Sequence, residues 1–206
     1  IAAHYQSLFN ALTIFVVYFI LRLLTQKALL PLLGSLLFAV SYESVQYATW
    51  LSNPAMGIWF VPLIYLGLII WLQKNKSWGL VLTGLAFGLT IQSNISLVYH
   101  ILPILFLVYP SFKRLNFKNI SYFVLALFIG VSTMVISEIK FGFQSLSGIS
   151  NILGVSDVGV RPDFGDVLVI YLNKMGKTFA YNLFPQVPAF GGLLGIFLLI
   201  WAFKNY

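Results

Sequence analysis

The chain has 206 residues, of which 60% are hydrophobic and only 8% are charged, and its mean hydropathy is +0.93. This composition excludes a water-soluble globular protein, because a core of this size does not need so apolar a chain, and it indicates an integral membrane protein. The chain contains no cysteine, which excludes disulfide bonds, thiol catalysis and thiolate metal sites.

Apolar segments of spanning or nearly spanning length predict seven helices. They lie at residues 7–24, 28–42, 57–72, 79–93, 95–109, 120–137 and 186–203. We expect residues 79–109 to form two helices with a turn at Ser93-Asn94, because one helix of that length would measure about 45 Å against a hydrocarbon core of about 30 Å. The expected fold is an all-α integral membrane protein, one transmembrane domain over residues 1–206. Since the chain begins at Ile1 without an initiator methionine, we expect it to be an internal fragment of a longer protein.

Two pairs of glycines are spaced by four residues within these apolar segments. They are Gly84 with Gly88 and Gly191 with Gly195. Small residues at this spacing let helix backbones approach closely, so we expect both pairs to serve helix packing rather than catalysis.

Positive side chains collect in the connections on one side of the predicted spans. If the spans alternate, this side carries eight basic residues and no acidic one: Arg22, Lys27, Lys74, Lys76, Lys113, Arg114, Lys118 and Lys204. The positive-inside rule makes this side cytoplasmic, and the opposite side extracytoplasmic, in a plasma or inner membrane. This sorting accounts for the net charge of +7, so we expect no nucleic-acid partner.

The most polar interruption of the apolar runs is SYESVQYATWLSNP at residues 41–54. Four of its side chains recur at helical spacing: Glu43, Gln46, Tyr47 and Trp50. A helix would therefore align a carboxylate, an amide and two aromatic rings on one face before Asn53-Pro54 ends it. Such a face suits a sugar, whose hydroxyls need acceptors and whose C–H face packs on a ring. Aromatic residues at the edge of a span also form interfacial belts, and both interpretations stay open.

Residues 138–185 form a long segment that is not predicted to span, and we expect it to be an extracytoplasmic loop. It begins with Glu138 and Lys140, charges that are costly near the hydrocarbon boundary unless they are paired or used in function. The sequence DVLVIYLNKMG from Asp166 predicts a short interfacial helix within the loop. A loop of this length is typical of a lid or a binding element.

Metal-ligating patterns are weak in this sequence. His4 and His100 have no His-rich or Glu-rich neighbourhood, and we expect His100 to be a hydrogen-bonded core residue. Four charged residues of the loop would suit a divalent cation or a phosphate, although a solvated loop is the commoner explanation: Asp157, Arg161, Asp163 and Asp166. We therefore expect no cofactor, and a divalent cation is possible in principle but not supported.

Three segments resemble bacterial GT-C glycosyltransferases of the protein O-mannosyltransferase and aminoarabinose-transferase superfamily. They are YATWLSNP at 47–54, GLVLTGLAFGLTIQSNISLVYHILPIL at 79–105 and IGVSTMVISEIKFGFQSLSGI at 129–149. The resemblance covers most of residues 10–150. The chain departs from the family in having Thr49 where an Arg is frequent, and in lacking a His that is common near Asn94.

The resemblance implies an outward-facing cavity that takes a sugar from a polyprenyl-phosphate donor among the membrane lipids. The sugar would pass to a glycan, lipid or protein acceptor on the non-cytoplasmic face. The resemblance also implies a general base, an Asp that would lie before Ile1, so no catalytic residue is assigned within this chain. The expected substrate-binding residues are Glu43, Tyr47, Trp50, Asn53, Gln92, Asn94, Glu138, Lys140 and Arg161, with Arg161 as a phosphate partner.

Two other functions remain as alternatives to a glycosyltransferase. A polytopic transporter or flippase subunit should carry polar residues at the centres of its spans, whereas these centres are almost wholly Leu, Ile, Val and Phe. A non-catalytic membrane assembly protein would retain full activity or growth after Glu43→Ala and Glu138→Ala.

Overall fold

The computed structural model describes residues 2–25, 28–48, 50 and 52–143, together with isolated residues and short groups between 163 and 200. Contacts divide the chain into two compact units, residues 1–40 with 44–144 and residues 41–43 with 145–206. None of the described residues lies in a β-strand. The expectation of an all-α membrane protein is confirmed.

Within residues 2–143, seven α-helices follow one another. They are α1 Ala2–Leu24, α2 Leu29–Val40, α3 Tyr42–Ala48, α4 Gly57–Lys74, α5 Ser77–Ser93, α6 Ile101–Val108 and α7 Phe117–Lys140. Three short 3₁₀ helices lie between them, at Asn53–Met56, Ile95–His100 and Tyr109–Arg114. Four segments of the described chain are long and apolar enough to cross a membrane: His4–Leu24, Gly57–Lys74, Ile95–Arg114 and Phe117–Lys140.

The seven-span count itself stays a prediction, because the expected last span at 186–203 lies mostly outside the described residues. Its described members are helical, namely Leu193, Ile196, Phe197 and Ile200. The described members of the predicted interfacial helix are helical as well: Asp166, Val169, Ile170 and Asn173.

The break at Ser93-Asn94 is confirmed. Helix α5 ends at Ser93, and the backbone of Asn94 is extended, with φ −158° and ψ 110°. The Oδ1 atom of Asn94 then accepts a hydrogen bond from the backbone N–H of Ser96 at 3.0 Å. This side chain caps the next helical segment, which is why the chain reverses at this point instead of continuing as one helix.

Two prolines mark where residues 95–114 change helix type. Pro103 lies in the first turn of α6, and Pro110 lies at the start of the 3₁₀ helix Tyr109–Arg114. A proline in a first turn removes an N–H that needs no partner within the helix. Because a 3₁₀ helix rises about 2.0 Å per residue and an α-helix 1.5 Å, this mixed segment is longer than a purely α-helical one of equal residue number.

Helices α4 and α5 touch through their backbones near their shared connection. A Cβ atom added to Gly79 would lie 2.5 Å from Gly67 O and 2.8 Å from Trp71 N. Thr83 is fully buried at this contact, and its hydroxyl lies 2.8 Å from Gly79 O and 3.3 Å from Ile64 O. The glycines allow the approach, and the threonine satisfies its hydroxyl on backbone carbonyls.

Helices α5 and α7 are equally close, and they run parallel. A Cβ atom on Gly84 would clash with Phe123 O, and one on Gly88 would lie 2.5 Å from Leu127 O. Gly130 faces Gly88 across the contact. A Cβ atom added to either glycine would lie 2.9 Å from the Cα atom of the other. The packing role predicted for Gly84 and Gly88 is confirmed, whereas Gly191 and Gly195 lie outside the described residues.

These contacts place the polar and the basic residues of the first unit at opposite ends. Phe9 of α1 meets Trp59 of α4 edge to face at 6.1 Å, so the starts of these two helices lie together. The end of α5 and the end of the parallel helix α7 also lie here, and we call this the polar end. At the opposite, basic end, Arg114 Nη1 donates to Leu72 O at 3.1 Å.

The glycine contacts predict a large effect of a single added side chain. Gly88→Leu should destabilise the protein by about 1–3 kcal/mol, since the opposing atoms are backbone and cannot turn aside. Val81→Leu on the same helix is the matched control, because Val81 is 39% exposed. Thermal unfolding of the purified protein in detergent measures the difference. Equal melting temperatures for the two variants would contradict the packing described for α5 and α7.

Candidate functional site

The aromatic stretch at the polar end differs from its predicted geometry. Helix α3 ends at Ala48, so the expectation that Glu43, Gln46, Tyr47 and Trp50 share one helix face is wrong. Trp50 instead follows the helix and folds back, with its N–H donating to Tyr47 O at 3.3 Å. Its ring stacks on that of Tyr47, with centroids 5.2 Å apart and planes 9° apart.

This stacked pair leaves the Trp50 ring accessible. Each ring covers one side of the other, and the side chain of Trp50 is still 53% exposed. The surface available to a ligand is therefore the outer side of the Trp50 ring. An indole face of this kind packs well against the C–H face of a sugar ring.

Three side chains of α1 hold the backbone beneath this pair. Asn10 Nδ2 lies 3.3 Å from both Tyr47 O and Ala48 O, and Ser7 Oγ donates to Ala48 O at 3.1 Å. Gln6 Nε2 donates to the carbonyl of Trp50. Sequence reasoning did not single out these residues. Their signal was available in the polar cluster Gln6, Ser7 and Asn10 at the start of an otherwise apolar helix.

Gln92 lines an open cavity at the polar end. The cavity has a volume of about 260 Å³ and lies where α4 begins and α5 ends, bounded by Met56, Phe60, Leu89, Gln92 and Ser93. The exposed amide of Gln92 supplies both hydrogen-bond donors and an acceptor to its wall. A cavity with apolar walls and an amide suits a polar ligand with an apolar face.

Other predicted residues have backbone positions but no described side chain, or lie outside the described residues altogether. Glu43 lies in the first turn of α3, and Asn53 begins the 3₁₀ helix Asn53–Met56. Their side chains are not described, and Arg161 lies outside the described residues. The predicted substrate contacts of these three residues therefore stay predictions.

Glu138 and Lys140 lie in the last turn of α7, at the polar end. Lys140 is exposed, and its Nζ lies 5.5 Å from the centre of the Phe141 ring. Glu138 is half-buried, and its backbone carbonyl accepts from the N–H of Phe143 at 2.8 Å as the chain turns away. Because α5 and α7 run parallel, both charges lie on the same side as Gln92.

His100 is hydrogen-bonded as predicted, but it is half-buried and not a core residue. Its Nδ1 lies 2.8 Å from the hydroxyl of Tyr65 on α4, and its ring lies 4.4 Å from that of Tyr99. The described residues hold no group of three His, Asp or Glu side chains placed to bind a metal. Of the four charged loop residues that would suit a cation, only Asp163 and Asp166 are described, so this expectation is not tested.

The cap at Asn94 gives a prediction about the structural role of this side chain. Asn94→Ala should lower stability by about 1 kcal/mol, because it removes the acceptor of the Ser96 N–H. Asn94→Asp keeps that acceptor and should restore stability, as measured by thermal unfolding in detergent. If Asn94→Asp is as unstable as Asn94→Ala, the capping role is wrong.

Comparison with known proteins identifies one family. The family model described as dolichyl-phosphate-mannose-protein mannosyltransferase matches residues 2–137, from α1 to nearly the end of α7. No curated protein matches the chain. No solved structure matches it either. The match covers well over half of the chain and confirms the GT-C resemblance. The chain therefore belongs to the dolichyl-phosphate-mannose-protein mannosyltransferase family of membrane glycosyltransferases.

Proposed function

We propose that this protein transfers a sugar from a polyprenyl-phosphate donor to an acceptor at the polar end, and that this end faces outward from the cell membrane. The observation that carries the proposal is the exposed outer face of Trp50, stacked on Tyr47. It belongs to the same end of the first unit as the cavity lined by Gln92. Family membership supplies the class of reaction.

The orientation rests on the separation of charge between the two ends. The basic end carries Arg22, Lys74, Lys76, Lys113, Arg114 and Lys118, and the sequence between these helices contains no acidic residue there. Lys and Arg concentrate in cytoplasmic connections because they resist translocation. The polar end is then the extracytoplasmic one, where a lipid-linked sugar and an acceptor can meet.

Each group at the polar end has a task that its chemistry allows. The indole of Trp50 would hold the apolar face of the sugar, and the amide of Gln92 would bind hydroxyls. The ammonium of Lys140 would stabilise the negative charge that develops on the departing lipid phosphate. Glu138 would accept hydrogen bonds from sugar or acceptor hydroxyls. Glu43, Asn53, Asn94 and Arg161 remain candidates for further contacts.

The reaction itself is a displacement at the anomeric carbon. A general base takes the proton of the acceptor hydroxyl, the hydroxyl oxygen attacks the anomeric carbon, and the bond to the lipid phosphate breaks. The described residues bind and orient in this scheme, and none of them is assigned as the base. Holding donor and acceptor in line supplies a large part of the rate enhancement.

Replacing Trp50 tests the sugar site directly. Trp50→Ala should raise the KM for a polyprenyl-phosphate sugar about tenfold, because it removes the stacking surface, and Trp50→Phe should recover part of the loss. Trp78→Ala is the matched control, since Trp78 is 55% exposed and lies at the basic end, in the first turn of α5. Release of labelled sugar by the full-length protein is the measurement. Unchanged KM in Trp50→Ala would refute the sugar site at this ring.

The absence of cysteine from the chain makes the orientation testable. Gln92→Cys should react with a membrane-impermeant maleimide added to intact cells, whereas Lys76→Cys should react only after the membrane is permeabilised. Both side chains are exposed, so accessibility within the protein does not separate them. The opposite labelling pattern would place the polar end in the cytoplasm and would exclude the proposed orientation.

A further inference from the structure

The helix α1 forms a clamp on the end of α3 that neither the family membership nor the proposed site explains. We define the α1 clamp as Gln6, Ser7 and Asn10. Gln6 donates to the carbonyl of Trp50, Ser7 donates to that of Ala48, and Asn10 donates to those of both Tyr47 and Ala48. The three side chains lie at positions i, i+1 and i+4, so one turn of α1 supplies the whole set.

The carbonyls that the clamp binds have few other partners available. A helix leaves its last four carbonyls without intrahelical donors, and α3 has only seven residues in all. No glycine follows Ala48 to cap the helix through a left-handed turn. Side chains from the neighbouring helix α1 supply the donors instead.

The hydrogen bonds that Asn10 donates decide the orientation of its side-chain amide. The residue is 4% exposed, and its Oδ1 is buried and has no hydrogen-bond partner among the described residues. Leaving a buried acceptor unpaired is unfavourable. Turning the amide over would point Oδ1 at two carbonyl oxygens, which is worse. The amide therefore serves the two carbonyls of α3 at the expense of its own oxygen.

Through the backbone, the clamp sets the pose of the Trp50 ring. The carbonyl of Trp50 accepts from Gln6 and from the N–H of Ser52 at 2.9 Å, and its N–H donates to Tyr47 O. Tyr47 O is also a target of Asn10. Both residues of the stacked pair thus have backbone groups held by α1, and the stacking fixes the rings relative to each other.

We propose that Gln6, Ser7 and Asn10 are positioning residues for sugar binding, which act by fixing the Tyr47–Trp50 pair in the pose that receives the sugar. This inference rests on the proposed function, because it needs the outer face of Trp50 to contact the donor. None of the three residues touches the sugar in this scheme. Their effect passes through Trp50.

A double-mutant cycle on the full-length protein tests this. Asn10→Leu keeps the size of the side chain and removes both donated hydrogen bonds, so it should raise the donor KM about tenfold while kcat stays within about twofold. The double variant Asn10→Leu/Trp50→Ala should have the KM of Trp50→Ala alone, because the clamp has nothing left to position. Release of sugar from a polyprenyl-phosphate donor gives both constants.

The matched control is Thr13→Val, one turn further along α1. Thr13 is fully buried, and its hydroxyl has no hydrogen-bond partner in the described part of the chain, so the substitution changes the buried surface of α1 without removing a described hydrogen bond. It should leave KM and kcat unchanged. If Asn10→Leu does not fold, Ser7→Ala removes the hydrogen bond to Ala48 O and little volume, and it should raise KM by a few-fold.

The outcomes separate the inference from the proposed function. A raised KM for Trp50→Ala together with an unchanged KM for Asn10→Leu and Ser7→Ala overturns the clamp alone. An unchanged KM for Trp50→Ala overturns the sugar site and the clamp with it. Additive effects in the double variant overturn the clamp as well, since a general disturbance of α1 would act independently of Trp50.

Discussion

Backbone contact between helices is the constraint on which the arrangement of the first unit depends. Glycines at positions 67, 79, 84, 88 and 130 bring α4 and α7 against α5 so closely that an added Cβ atom would strike backbone atoms. A membrane offers little hydrophobic drive for such contacts, because lipid tails are as apolar as the side chains. Small residues replace that drive with van der Waals packing. They also favour the register in which Gly84 and Gly88 of α5 face α7.

The common direction of α5 and α7 is what brings distant residues to one end. Gln92 and Glu138 are far apart in sequence, yet both close a helix that rises from the basic end. The starts of α1 and α4 meet there too, through Phe9 and Trp59. A binding site for a sugar needs aromatic, amide and charged groups within reach of one another. Here the helix packing brings Gln92, Glu138 and Lys140, which all lie near helix ends, to the same end of the first unit.

Buried polar side chains in this protein mostly serve its own backbone. Thr90 donates to Ala86 O at 2.7 Å in the way that Thr83 donates to Gly79 O, so each satisfies its hydroxyl within α5. Such hydroxyls allow polar side chains to be buried between packed helices and do not indicate a transport path. Asn10 differs because neither of its donated hydrogen bonds stays within its own helix, while its Oδ1 has no partner among the described residues. Its two hydrogen bonds hold the end of α3.

The sequence alone determined the class of fold, the break after Ser93 and the packing role of Gly84 and Gly88, because length, hydropathy and small-residue spacing are local properties. It also carried the resemblance that the family match confirmed. Only the tertiary structure decided that α3 ends at Ala48 and that Trp50 folds back onto Tyr47. Helical spacing had extended the helix to Trp50, but hydrogen bonds from Gln6, Ser7 and Asn10, donated across 37 to 44 residues of chain, hold the carbonyls at its end. Contacts between segments so far apart leave no periodic signal in a sequence, which is why the pose of the aromatic pair had to come from the structure.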